Sequence, residues 1–146
     1  MSKFLVLLIS IFATNMSLAG EQANALNRCM AASATSQDKT NLARWFIVSV
    51  SSHPAMTDII SVSPEKKEEL NRAVGLLNSR ILGEACAKEL KEVVAVEGIA
   101  SAKASFAVFG ELAMQEVMVN PNVVAGLAGT AKYIDIAKIN AVINSK

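Results

Sequence analysis

Residues 63–97, SPEKKEELNRAVGLLNSRILGEACAKELKEVVAVE, decide how this chain folds. Ser63–Pro64–Glu65 is a helix start. Serine caps the free amides, proline sits in the first turn where no amide is needed, and acids follow at the positive end of the helix dipole. Leu70, Val74, Leu77 and Ile81 then form one apolar line at spacings of three and four, and Leu82, Cys86, Leu90 and Val93 continue the apolar surface further round. Glu68–Arg72, Glu84–Lys88 and Lys88–Glu92 are spaced i, i+4, each worth a few tenths of a kcal/mol on an exposed face. Gly98 is placed to end the helix in a left-handed cap, with apolar Ile99 after it. The stretch reads as one long helix. Along it run Gly75, Ser79, Gly83 and Ala87, small residues at intervals of four. Glycine inside a helix costs up to about 1 kcal/mol relative to alanine, so this stripe reads as a seat for a closely packed neighbour.

The only cysteines, Cys29 and Cys86, are expected to form one disulfide; free buried thiols or an intermolecular bond are the alternatives. A disulfide needs Cα atoms about 4.4–6.8 Å apart, closer than the usual 8–10 Å between packed helix axes. Small neighbours favour that approach: Ser79 and Gly83 precede Cys86, and Ala25, Ala32 and Ser33 surround Cys29. The pairing sets the first helix against the middle of the long one. It closes a loop of 58 residues counted inclusively, for which chain entropy predicts about 4 kcal/mol of stabilisation.

The amino terminus reads as a targeting segment. Met1–Ser2–Lys3 is a positive head, Phe4–Phe12 an apolar core, and Ser17–Leu18–Ala19 a small-x-small cleavage signal, so a cut is expected between Ala19 and Gly20. The apolar run is shorter than the roughly 20 residues that span a membrane. Glu21 stands where a lipoprotein signal would need cysteine, so no stable membrane anchor is expected, and the mature protein should be soluble. From Gly20 to Lys146 there are 127 residues, enough for one domain with one core. Loss of Lys3 leaves thirteen basic against thirteen acidic residues. A neutral chain offers no basic face for nucleic acid and no polybasic run for an anionic membrane.

The other segments are helical too. Residues 22–36 place Ala25, Cys29, Ala32, Ser33 and Ser36 on one small-residue face. Ser36 or Asp38 can cap a second helix over 39–52, whose Leu42, Trp45, Phe46, Ser49 and Val50 follow amphipathic spacing, and His53–Pro54 ends it. Residues 55–62 read as a turn or two of helix. Residues 99–119 form another helix, and Asn120–Pro121 starts a last one over 121–144, with a break near Gly129–Thr130. A strand reading of YIDIAKINAVI fails at Lys138, while Ile136, Ile139 and Ile143 return to helical spacing. With no Asn-Gly or Asp-Gly hairpin signal, the expectation is an all-α fold: a compact bundle of about five helices with one disulfide, in one domain over 20–146.

Chemistry-bearing residues are sparse. His53 is the only histidine; Ser49, Ser52 and Asp58 are near it in sequence, but no Gly-x-Ser-x-Gly elbow accompanies them. A histidine at a helix C-terminus is also favoured by the dipole. One histidine and two distant cysteines give no metal-ligand spacing, and the glutamates fall on solvated helix faces; no cofactor is expected. Arg44, Trp45, His53 and Asp58 form a possible interaction surface, since Trp and Arg recur at interface hot spots. Phe106, Phe109 and Met114, with Trp45, could line an apolar pocket.

The pattern Cys29…Asp38…Arg44–Trp45…His53–Pro54…Cys86 resembles that of small exported all-helical proteins of Gram-negative bacteria. The resemblance implies a periplasmic setting and supports the disulfide. The resulting expectation is a periplasmic or secreted interaction protein, such as an inhibitor, immunity protein or adaptor, whose partner is another protein. A carrier of a small apolar molecule is the alternative, and a hydrolase using His53 stands last.

Overall fold

Four of the described α-helices begin where a short polar side chain takes up a free amide of the first turn, at Thr35, Ser63, Asn120 and Asp135. The structure, a computed structural model, describes residues 20–145; the expected targeting segment, Met1–Ala19, lies outside the described residues. α1 (Glu21–Ser33) has no side-chain cap of its own. Its first-turn amides at Gln22 and Ala23 are instead taken by Glu97 Oε1, at 2.8 and 3.2 Å. α2 (Ser36–Val50) starts at Thr35, in place of the expected Ser36 or Asp38. Thr35 Oγ1 accepts from the Asp38 amide, and the Thr35 amide donates to Asp38 Oδ2, a reciprocal capping box. A 3-10 turn (Pro54–Met56) follows. α3 (Pro64–Arg80) opens on Ser63, whose hydroxyl accepts from the Lys66 amide at 3.3 Å.

The long helix contains a defect that reconciles its two apolar lines. After α3 comes a π turn (Ile81–Ala85), then α4 (Ala87–Val96). At the turn, the Cys86 amide donates to Ile81 O at 2.7 Å, an i→i−5 bond. Leu70, Val74, Leu77 and Ile81 are buried, and so are Cys86 and Val93, but the step from Ile81 to Cys86 is five residues. In a regular α-helix five residues turn the chain about 140° past its starting face. The π turn absorbs one extra residue, so both lines face the same core.

Around this rod the core joins Ala23, Leu26 and Met30 of α1, Leu42 and Ala43 of α2, and residues of two further helices, α5 (Ile99–Ala104) and α6 (Ala107–Met118). Gly98 joins α4 to α5 at φ 88°, ψ 169°: positive φ as expected of the cap, but with extended ψ, a region open essentially to glycine alone. The expected helix over 99–119 is two because the chain tightens at Ser105–Phe106. Ser105 Oγ donates back to Ser101 O at 3.3 Å, and Ser101 Oγ to Glu97 O at 3.4 Å, bonds that bend helices.

The last segment is also two helices, α7 (Pro121–Ala128) and α8 (Ile136–Ile143), joined by a 3-10 turn (Gly129–Tyr133). The described chain is thus all-helical, with seven helices when the α3–α4 rod is counted once, against the five expected. The compact bundle ends with α6. From Pro121 to Ser145 no side chain is buried, and Leu127, Ile134, Ile136, Ile139, Val142 and Ile143 face solvent.

The disulfide Cys29–Cys86 is present, with Cα atoms 5.9 Å apart. The seat proposed for it is not. Gly75, Ser79, Gly83 and Ala87 are all exposed, and a Cβ at Gly75 or Gly83 would meet nothing within 4 Å. α1 packs instead on the face of Ile81, Cys86 and Val93. Beside the disulfide, Arg80 reaches the α1–α2 junction. Its Nη2 lies 2.7 Å from Asp38 Oδ2, and its Nη1 donates to Ser33 O at 3.3 Å.

Candidate functional site

α2 carries more apolar surface than one buried face can cover. Trp45, Phe46, Ile47 and Val48 are consecutive, and at about 100° per residue they wrap around the helix. Leu42 and Ala43 take the core positions. Trp45 packs partly against the core, while Phe46 and Val50, each 37% exposed, and Ile47, 44% exposed, lie towards the C-terminal end of α2, beyond the cover that buries Leu42 and Ala43. Phe46 and Val50 share the face of Leu42, as their spacing predicts, but the core stops short of covering them. A further signal was the unbroken apolar run, which a one-sided helix does not need.

These residues line two separate hollows on different sides of α2. One, of about 600 Å³, is formed by Trp45, Phe46, Ser49 and Val50 with His53 and Met56 from the following turn. The other, of about 320 Å³, is formed by Ala43, Arg44, Ile47 and Val48 with Val117 of α6. Several polar groups at the first hollow are already engaged. Trp45 Nε1 donates to Asn71 Oδ1 at 3.1 Å, which orients the indole. Ser49 Oγ donates to Trp45 O at 2.8 Å, and His53 Nδ1 accepts from the Ala55 amide at 3.2 Å. What remains for a partner is mainly apolar surface, with the Arg44 guanidinium at the second hollow.

The structure therefore brings Trp45 and His53 together and sets Arg44 in the other hollow; Asp58 is exposed and lines neither. Phe106, Phe109 and Met114 stand apart from that groove on α6 and its approach. Phe109 belongs to the core, and Phe106 meets it edge-on with ring centroids 6.0 Å apart. Met114 is 44% exposed. Trp45 thus shares its groove with Phe46, Val50 and Met56 rather than with these three.

His53 has a structural duty. It is the N-cap of the 3-10 turn, and the ring nitrogen that accepts from Ala55 is occupied as an acceptor. Among the described residues no three His, Cys, Asp or Glu side chains converge as metal ligands would. Asp38 is perturbed for a structural reason. Burial pushes its carboxyl up, but the Thr35 hydroxyl and amide and the Arg80 guanidinium outweigh that and hold it below the ordinary carboxylate value. Among the described residues no helix is long and apolar enough to cross a membrane. Comparison with protein-family models, with curated proteins and with solved structures gave no match.

Proposed function

We propose that this is an exported protein that acts by binding another protein through the C-terminal part of α2, as an inhibitor, immunity protein or adaptor does. The observation that carries this reading is the cluster of Phe46, Ile47 and Val50, large apolar side chains left in water beside two apolar hollows on a helix anchored to the core. Contiguous exposed apolar surface on a folded domain marks an interaction site or an aggregation hazard. Trp45 and Arg44 are residue types that dominate binding energy when a partner excludes water from them. The disulfide suits an oxidising compartment.

The volume of the larger hollow falls within the range of small-ligand sites, and that favours a carrier of apolar molecules as the second reading. Its form weighs the other way. The hollow is an open groove, whereas small-molecule sites enclose most of their ligand. The test is affinity capture from the exporting compartment with the oxidised chain, the double variant Phe46→Asp/Val50→Asp, and Val96→Asp, a change at an exposed apolar residue on α4. A protein retained by the parent and by Val96→Asp but lost with the double variant supports the reading. A lipid co-purifying with the parent and lost with the double variant supports the carrier and overturns it.

A further inference from the structure

Gly20 and Glu97 fit each other in a way that α1 capping alone does not require. Gly20 precedes α1 in an extended conformation, φ −60° and ψ 170°, open to any residue. The Glu97 carboxyl group lies against it: a Cβ built at Gly20 would have Oε2 at 2.6 Å, so the end of the Glu97 side chain would have to move. Glu97 Oε1 is used by the Gln22 and Ala23 amides. Oε2 is shielded from solvent and has no hydrogen-bond partner among the described residues. A shielded carboxylate oxygen with nothing to accept from is costly.

A backbone nitrogen lies close by. Backbone geometry sets the nitrogen of any residue about 2.5 Å from its Cβ position, so Gly20 N is at most about 5 Å from Glu97 Oε2. In a chain that continues to Ala19 this nitrogen is an amide with one N–H held in a peptide plane. Hydrolysis of the Ala19–Gly20 bond makes it an α-ammonium with three N–H donors and a positive charge, free to rotate about the N–Cα bond.

We propose that the α-ammonium of Gly20, exposed when residues 1–19 are removed, is the partner of Glu97 Oε2, so that processing completes the anchor between α1 and the end of α4. The proposal rests on cleavage after Ala19, the expectation drawn from the targeting segment. Glycine at position 20 then has two reasons. It suits the small-residue surroundings of a cleavage site, and it lets the new terminus lie against the carboxylate.

The experiment uses the full oxidised chain in four forms: beginning at Gly20 or, one residue longer, at Ala19, each with Glu97 or with Glu97→Gln. Glutamine keeps a side-chain oxygen for the Gln22 and Ala23 amides. The extra residue is expected to lower the melting temperature by about 3–6 °C with Glu97 present and by less than about 1 °C with Glu97→Gln. Equal losses in both backgrounds, or no loss in either, overturn the pairing. The intact mass of chain recovered from an exporting host separates the two premises. A start at Gly20 is expected, and a start anywhere else overturns the proposal through cleavage rather than through the pairing.

Discussion

Replacing Cys29 with alanine isolates what the covalent link contributes. Cys86 is fully buried and would leave a hole if truncated, whereas Cys29 is only partly buried, so Cys29→Ala removes the bond and leaves the Cys86 sulfur filling the core. The two cysteines are 57 positions apart. Opening a loop of that length restores to the unfolded chain an entropy worth about 4 kcal/mol at 25 °C. Total stabilities of such domains are about 5–15 kcal/mol, so about a quarter or more of the whole is at stake. At this chain length the loss corresponds to a melting temperature lower by roughly 12–16 °C. Urea unfolding followed by the fluorescence of Trp45, the sole tryptophan, and by far-ultraviolet circular dichroism measures it directly. The urea dependence should steepen as well, because an uncrosslinked unfolded chain exposes more surface. A loss below about 1 kcal/mol with an unchanged slope would refute the reasoning and leave the packing of Leu26 and Met30 as what holds α1.

Three further perturbations test other parts of the fold. Gly75→Ala should stabilise by about 0.5–1 kcal/mol in urea unfolding, because the site is helical and the new Cβ meets open space; a loss would restore the small stripe as a packing seat. Deleting exposed Glu84 turns the five-residue step from Ile81 to Cys86 into the four of a regular α-helix, so the disulfide should still form, as thiol titration would report; inserting an alanine there should abolish it. Asp38→Asn should cost about 1 kcal/mol through the weakened capping box and its partly exposed ion pair. Because the folded carboxyl is held below its unfolded value, its contribution is present above the unfolded value of about 3.9 and disappears as pH falls through the folded one, so the parent should lose stability below about pH 4 more steeply than the variant.

Much of this architecture is legible in local chemistry. Ser63–Pro64, Asn120–Pro121 and the return to helical spacing at Ile136, Ile139 and Ile143 each mark an element that is present, because caps and periodicity act within one turn. The disulfide partners needed only the count of two cysteines. The π turn was visible only as a phase slip between Ile81 and Cys86, which helical spacing alone does not resolve. The stripe misled because spacing by four shows that residues share a face and says nothing about where that face points. Glu97 acting on α1 is a contact between residues 75 positions apart, with no local signature. At the candidate site, Arg44, Trp45 and His53 were legible as residue types. Phe46, Ile47, Val50 and Met56 lie in the same segment, from Arg44 to Asp58, but are not singled out by type, because apolar residues at helical spacing ordinarily go inward.

The C-terminal part of α2, with Phe46, Ile47 and Val50, is the surface proposed to bind a protein partner. A photo-crosslinking amino acid placed at Phe46, beside the larger hollow, tests it most directly against the same residue at exposed Gly75 on α3. Irradiation in the exporting compartment should give one discrete protein adduct from position 46, competed away by excess unlabelled parent but not by Phe46→Asp/Val50→Asp, and none from position 75. The same adduct from both positions, or from position 75 alone, would contradict the claim.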